Sequence, residues 1–356
     1  MGFLKSLFGS KEGKFVEVAP FGSRYEVPSG ETMLEAALKN GVPFPHNCTV
    51  GTCGSCKCKL KSGRVSALTD FGYTLSQQEI AAGFILACQA IPKDALTEVE
   101  VEAQSHDTAQ AEKYVGKIVA RTPLTHDILK VTIDLDRPIR FSAGQYANLG
   151  FPNIRRMRNY SFADAPDREG RKQLNFIIRK VPKGLFTEDL FNGSLDEVPI
   201  DVDGPHGNFH LHAGAGPMVC IAGGSGLGPL LSILEDARKN RVKRHCAFLF
   251  GARTPADLYC LDQIKQIEQG WADRFTFLPV LSHEPTGSAW TGARGLVTQF
   301  ITDAMPDINW AEAEGYMCGP PGMIDAGIAS MTEAGMRIEK IYYDKFTDES
   351  HISKMP

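Results

Sequence analysis

Residues 44–65 read FPHNCTVGTCGSCKCKLKSGRV, and Cys48, Cys53 and Cys56, followed by Cys88, spell C-x4-C-x2-C…C. That is the spacing with which thiolates hold a plant-type [2Fe–2S] cluster. Gly51 and Gly54 stand between the ligands, where the missing Cβ lets backbone N–H groups approach the cluster sulfides. Structural zinc usually takes two C-x2–4-C pairs, whereas here a triplet is followed by a lone cysteine 32 residues later. Disulfides fit poorly, because nine cysteines is an odd count and no secretory signal is visible. Cys58 breaks the spacing by two residues and reads as a strand residue beside the cluster. Cys220, Cys246 and Cys260 read as small buried hydrophobes.

Outward from this loop, a first domain spans residues 14–102, after a tail of residues 1–13. Phe15–Val18 and Tyr25–Val27 form a hairpin around Phe21-Gly22-Ser23. Thr32 and Glu35 make a capping box for a helix with Met33, Leu34, Ala37 and Leu38 on its apolar face and Gly41 at its end. After the cysteine loop, Ile85–Cys88 leads through Pro92 into the alternating strand Leu96–Val101. Residues 103–113 are polar without apolar periodicity and read as a linker. Asp70, Glu79 and their acidic neighbours read as a solvated face, with docking of a basic partner as the alternative.

The texture changes twice more. Residues 114–212 carry short β runs with Gly/Pro turns, among them Ile118–Ala120, Ile128–Ile133 and Leu174–Ile178, the pattern of a small antiparallel barrel. Residues 213–356 alternate apolar strands with helical stretches: Met218–Ala222, His245–Phe250, Phe275–Leu281, Tyr316–Cys318 and Ile341–Tyr343. Such alternation predicts a parallel sheet covered on both faces. The fold class expected is therefore multi-domain, α+β and α/β.

A net charge of −4 gives no nucleic-acid footprint. No stretch approaches the roughly 18 apolar residues needed to span a bilayer, and the unpaired cysteines fit a reducing cytoplasm. Met1-Gly2-Phe3-Leu4-Lys5-Ser6 matches the permissive myristoylation pattern without other support for lipidation. Phe3, Leu4, Leu7 and Phe8 allow a short membrane- or partner-touching helix, with a frayed tail as the plainer reading.

Arg158-Asn159-Tyr160-Ser161 lies in the barrel segment. A flavin dinucleotide needs a cation for its phosphates, an aromatic face against its ring and a hydrogen-bonding group near N5. In a regular strand Arg158 and Tyr160 face one side and Ser161 the other, so all three reach one ligand only at a kink or strand end. Downstream, Gly184-Leu185-Phe186-Thr187 opens a short helix, whose N-terminus suits a pyrophosphate.

Gly223-Gly224-Ser225-Gly226-Leu227-Gly228-Pro229 follows an apolar strand and precedes a helix. Pro229 departs from the G-x-G-x-x-G pattern but suits a first helical turn, and the glycines let a dinucleotide approach the backbone. Cys318-Gly319-Pro320-Pro321 ends a later strand at the same carboxyl edge, where ligands bind in open α/β sheets.

A barrel with Arg-x-Tyr-Ser followed by a Gly-Gly-x-Gly-x-x-Pro sheet domain resembles the ferredoxin–NADP reductase superfamily. With a ferredoxin module in front, residues 14–346 resemble the NADH:acceptor reductase components of bacterial multicomponent oxygenases. Residues 44–65 and Phe250–Asp262 (FGARTPADLYCLD) are most similar to the reductases of xylene (toluene side-chain) monooxygenases. The resemblance implies a [2Fe–2S] cluster on Cys48, Cys53, Cys56 and Cys88, and FAD held by Arg158, Asn159, Tyr160, Ser161, Gly184, Leu185, Phe186 and Thr187. It implies NADH at Gly223, Gly224, Gly226, Leu227, Pro229, Arg253, Gly319 and Pro320, with Cys318 beside the nicotinamide and the Phe346 aromatic near the flavin. Ser161, Cys318 and Phe346 are then the residues nearest the hydride transfer.

There are departures from the family pattern: Lys183-Gly184 replaces a common Gly-Gly, Thr187 stands where Ser is common, and Asp344 replaces Glu in Asp344-Lys345-Phe346. The implied activity is NADH:acceptor oxidoreduction, with electrons passing from NADH to FAD to the cluster to a partner oxygenase. The partner expected is a diiron hydrocarbon hydroxylase, and it gives peripheral membrane association if it is itself membrane-bound. A Rieske oxygenase, an iron–sulfur deoxysugar dehydratase and a non-turnover redox sensor stand as alternatives. The chain is expected to be monomeric, without nucleic-acid partners.

Overall fold

The computed structural model describes residues 13–46, 48–52, 54–102, 110–151 and 157–346. The chain forms two compact units, residues 1–106 and 107–356.

In the first unit, β1 (Lys14–Ala19) and β2 (Ser23–Val27) form the expected antiparallel hairpin. Thr32 and Glu35 cap α1 (Met33–Lys39) reciprocally, as a capping box. Then come β3 (Lys57–Ser62), β4 (Val65–Ala67), α2 (Gln77–Ala81), β5 (Phe84–Leu86), β6 (Ala90–Pro92) and β7 (Leu96–Glu100). The sheet order is β2-β1-β7-β3-β5, with β1 and β7 parallel in the centre, and β4 pairs with β6 separately. Helix α1 buries Met33, Leu34, Ala36 and Ala37. Leu38, expected on that face, is 39% exposed. The buried face of the helix runs through Ala36, at 0% exposure, in its place.

The second unit opens with β8 (Glu112–Pro123), so Glu112 and Lys113 already belong to a strand. It continues with β9 (Ile128–Ile139), β10 (Tyr146–Gly150), β11 (Arg158–Ser161), β12 (Arg171–Arg179), α3 (Leu185–Asn192) and β13 (Ile200–His206). These strands form one antiparallel sheet, β11-β10-β13-β8-β9-β12. Its two edges meet at the bridge Phe162↔Phe176, which curls the sheet into a barrel around Phe162, Leu174 and Phe176.

Then follow β14 (Met218–Gly223), α4 (Leu227–Lys239), β15 (Cys246–Ala252), α5 (Leu261–Gly270), β16 (Phe275–Leu281), β17 (Ala293–Arg294), α6 (Ile301–Ala304), β18 (Glu314–Gly319), α7 (Pro321–Glu333) and β19 (Ile341–Lys345). They make an all-parallel sheet, β17-β16-β15-β14-β18-β19. Strand β14 is buried on both faces: Met218, Cys220 and Ala222 pack in one core with α4 and α5, Val219 and Ile221 in another with α7. The order reverses between β14 and β18, which puts the switch-point crevice at their carboxyl ends. No helix among the described residues is long and apolar enough to cross a membrane.

Candidate functional site

In the cluster loop, Gly51 and Gly54 take φ of +82° and +73°, a conformation that favours glycine. A Cβ on Gly51 would sit 2.7 Å from the Gln89 side chain. The Thr74 hydroxyl donates to the Gly51 carbonyl and pins the loop. The Thr52 N–H donates to Cys48 Sγ at 3.3 Å. Cys88 lies in a 3-10 turn, Ala87–Gln89, directly after β5. Hydrogen bonds from Cys56, the Gln89 side chain and the Gly51 backbone hold its thiol below the usual range despite burial. A thiolate-stabilising loop of donors with little Cβ bulk fits a metal–sulfide cluster. Cys53 lies outside the described residues. Cys58 sits inside β3 in the core, where burial pushes its thiol up.

The Arg158–Ser161 strand β11 is a sheet edge and ends at Ser161. The strand end that the sequence reading required thus falls at Ser161. Tyr160 stacks on Phe186 at 5.4 Å and 29°, and Phe186 meets Phe151 at 5.0 Å. Gly184 is the N-cap residue of α3, and Leu185, at 81% exposure, stands open at its N-terminus. A cation, a half-buried aromatic face and a helix N-terminus beside an exposed apolar side chain fit a flavin dinucleotide. Thr187 is used internally: its hydroxyl accepts from the Val181 N–H at 3.0 Å and donates to the Val181 carbonyl at 3.1 Å. Lys183 is held at φ +62°, a conformation that favours glycine.

At the parallel sheet, Gly223 closes β14, Gly224–Gly226 form a 3-10 turn, and Leu227 and Pro229 open α4. A Cβ on Gly226 would overlap the Cys318 carbonyl, so the turn and the end of β18 fit together only through glycine. Gly319 follows at φ +153°, Pro320 caps α7, and the Phe346 N–H donates to the Gly319 carbonyl at 2.9 Å. Arg253 is exposed on the loop after β15, at the same edge. Cys318 is fully buried, and its thiol is pushed well up by burial and by Asp344.

Sequence reading missed three partnerships. The Ser161 hydroxyl hydrogen-bonds Asp344, whose carboxyl burial pushes up to about 7. Arg179, held through Nε by Asp127 at 2.8 Å, places Nη1 3.8 Å from where a Gly224 Cβ would lie. The Tyr259 hydroxyl donates to the Gly224 carbonyl at 2.8 Å. Each joins segments far apart in the chain, for which one sequence carries no signal. A cleft of about 1000 Å³ lined by His212, Gly216, Glu314 and Tyr342 lies at the opposite, amino-terminal edge of the sheet and contains none of these residues.

Three families match in chain order: the 2Fe-2S iron-sulfur cluster binding domain over residues 16–93, the oxidoreductase FAD-binding domain over 116–211 and the oxidoreductase NAD-binding domain over 220–327. Fold and donor sets together define an oxidoreductase of [2Fe–2S], FAD and NAD(H). The xylene/toluene monooxygenase electron transfer component XylA of Pseudomonas putida is 37% identical, the alignment covering 96% of each chain. The reductase component of propane 2-monooxygenase from Gordonia sp. (strain TY-5) is 34% identical, over 93% of this chain and 96% of its own. The crystal structure of the Amycolatopsis cytochrome P450 reductase GcoB superposes with a TM-score of 0.69 at 35% identity, covering 94% of this chain and 99% of that one. The chain belongs to the family of reductase components of multicomponent monooxygenases.

Proposed function

We propose that this chain takes electrons from NADH and delivers them, through FAD and the [2Fe–2S] cluster, to a partner oxygenase, a diiron hydrocarbon monooxygenase. The observation that carries this reading is end-to-end similarity to XylA with all three cofactor domains in one chain. When bound, FAD accepts the electron pair of NADH and the cluster releases electrons singly, as an iron–oxygen centre requires.

The chain's own residues bind and orient. Cys48, Cys53, Cys56 and Cys88 hold the cluster. Arg158 and the Gly184–Thr187 helix start neutralise the FAD phosphates, with Thr187 acting through the loop it ties. Asn159 and Tyr160 line the ring, and Ser161 hydrogen-bonds near N5. Gly223, Gly224, Gly226, Leu227 and Pro229 cradle the NADH backbone, Arg253 lies toward the adenosine, and Gly319 and Pro320 close the crevice. Cys318 supports the nicotinamide from within the core, and Phe346 covers the flavin. The domain limits we assign are 14–102, 114–212 and 213–356. The chain acts as a cytoplasmic monomer, reaching a membrane only through a membrane-bound partner.

Anaerobic titration with NADH tests the reading. Flavin bleaching with a rhombic EPR signal from the reduced cluster supports it, and no response of either overturns it. Similarity to GcoB favours a second reading, a P450 acceptor. Reconstitution with purified diiron hydroxylase or P450 components separates the two by which one turns over with NADH.

A further inference from the structure

Tyr259 lies in the connection between β15 and α5, buried to 5% exposure, its ring edge-on to Phe250 at 5.6 Å and 89°. Its only polar atom reaches out of this apolar packing to the Gly224 carbonyl at 2.8 Å. The backbone bends sharply just after it: Cys260, the next residue and the N-cap of α5, sits at φ +56° and ψ 24°. A left-handed non-glycine residue is held only where its surroundings over-determine it. This sets Cys260 apart from a plain buried hydrophobe; it is half-buried at a strained corner.

Gly224 is the part of the turn with most freedom. It sits at φ +56°, and the nearest atom to a Cβ there is Arg179 Nη1, 3.8 Å away. Glycine populates both signs of φ with little preference, so the Gly224–Ser225 peptide plane is free to rotate unless held. In a trans peptide the C=O and the following N–H point in opposite directions. Fixing the Gly224 carbonyl onto Tyr259 therefore directs the Ser225 N–H away from Tyr259. The carbonyl also receives the Leu227 N–H, so both bonds fix the same plane.

We propose that Tyr259 is a positioning residue for the nicotinamide dinucleotide, pre-setting the Gly224–Ser225 peptide before the ligand arrives. The proposal rests on the assignment of this glycine turn to NADH. A turn already ordered spares the ligand the cost of ordering it, so the hydroxyl acts on binding and leaves the chemical step alone.

Tyr259→Phe removes one O–H and keeps the ring against Phe250. In the holoenzyme, we expect about a five-fold rise in KM for NADH and in Kd for NAD+, the worth of one neutral hydrogen bond. We expect kcat within two-fold and a melting temperature lowered by no more than about 4 °C, the share of the same bond in folding. A KM and Kd equal to wild type overturn the proposal, as does a fall in kcat or in melting temperature with KM unmoved. If the variant fails to retain FAD, hydrogen exchange on the wild type decides. Protection of the Leu227 amide, which donates to the Gly224 carbonyl, before NAD+ is added supports the proposal, and protection gained there only on adding NAD+ overturns it. Failure of NADH to bleach the wild-type flavin would instead remove the assignment of the turn itself.

Discussion

The Ser161 hydroxyl hydrogen-bonds the Asp344 carboxyl, joining the last residue of the barrel's edge strand to the edge strand of the parallel sheet. Asp344 stands opposite Cys318 in the register of β18 and β19, and its charge adds to the burial that pushes the Cys318 thiol up. Two residues of the proposed site, Ser161 and Cys318, thus meet one carboxyl. The short aspartate side chain is within reach of Ser161.

Burial pushes Asp344 from the ordinary aspartate range up to about 7, with the Ser161 bond pulling the other way. Below pH about 4 folded and unfolded chains both hold this proton. Between about 4 and 7 only the folded chain holds it, so stability falls as pH rises through that window, and the loss is complete above about 7. Asp344→Asn carries no charge and lacks this dependence. Melting temperatures at pH 5 and pH 8 should therefore drop more for wild type than for the variant; equal drops would sink the assignment.

Ser161→Ala removes the interaction that lowers the Asp344 value. The stability break then moves to higher pH. NADH-dependent flavin bleaching should slow by about 10–100-fold, the scale for losing one positioned donor, and Ser161→Thr should recover most of it. Melting temperatures across pH read the first effect, and stopped-flow absorbance reads the second.

Lys183 precedes the Gly184 N-cap at φ +62°, a conformation that costs a side chain about 1 kcal/mol or more. Lys183→Gly relieves it and pays back part in unfolded-state entropy. The expected outcome is a gain of about 0.5 kcal/mol in urea unfolding. The α3 N-terminus also loses one nearby cation, so FAD affinity should hold or fall slightly, and a large fall would show that Lys183 itself binds phosphate.

Cys58 lies two residues from a cluster cysteine yet faces the core from β3. Cys58→Ala should leave the cluster's visible spectrum intact and cost about 1 kcal/mol of stability. Cys88→Ala should abolish that spectrum. A bleached Cys58 variant would reassign the ligand set.

Local signals explain what the sequence made legible. The cysteine spacing, the Thr32/Glu35 capping box and the glycine turn after an all-apolar strand each act over a few residues, so a single chain displays them. What stayed hidden depends on docking. The stripe that α1 buries runs through Ala36, which leaves Leu38 39% exposed against expectation. The Ser161–Asp344 and Tyr259–Gly224 bonds join remote segments. The left-handed Lys183 follows from the loop it occupies, since the residue type alone argues against it.

Glu79 is a further case, because an acid in a polar stretch reads as solvated and the fold buries it to 1% exposure. Its Oε2 accepts the Ser76 N–H at 2.8 Å and the Ser76 hydroxyl at 2.9 Å, completing the capping box of α2. Its Oε1 takes Lys57 Nζ at 2.7 Å, on the strand that begins immediately after Cys56. This one carboxylate thus ties α2 to the exit of the cluster loop. Removing it takes the carboxylate half of the capping box and takes from Lys57 a buried counter-charge, losses that together amount to about 3 kcal/mol. Glu79→Gln keeps an acceptor for Ser76 but loses the charge, so its cost should be roughly half. Heating the holoprotein while following the cluster absorbance should give the order wild type, Gln, Ala in bleaching temperature. Equal temperatures for all three would show that the pair contributes nothing to holding the cluster loop.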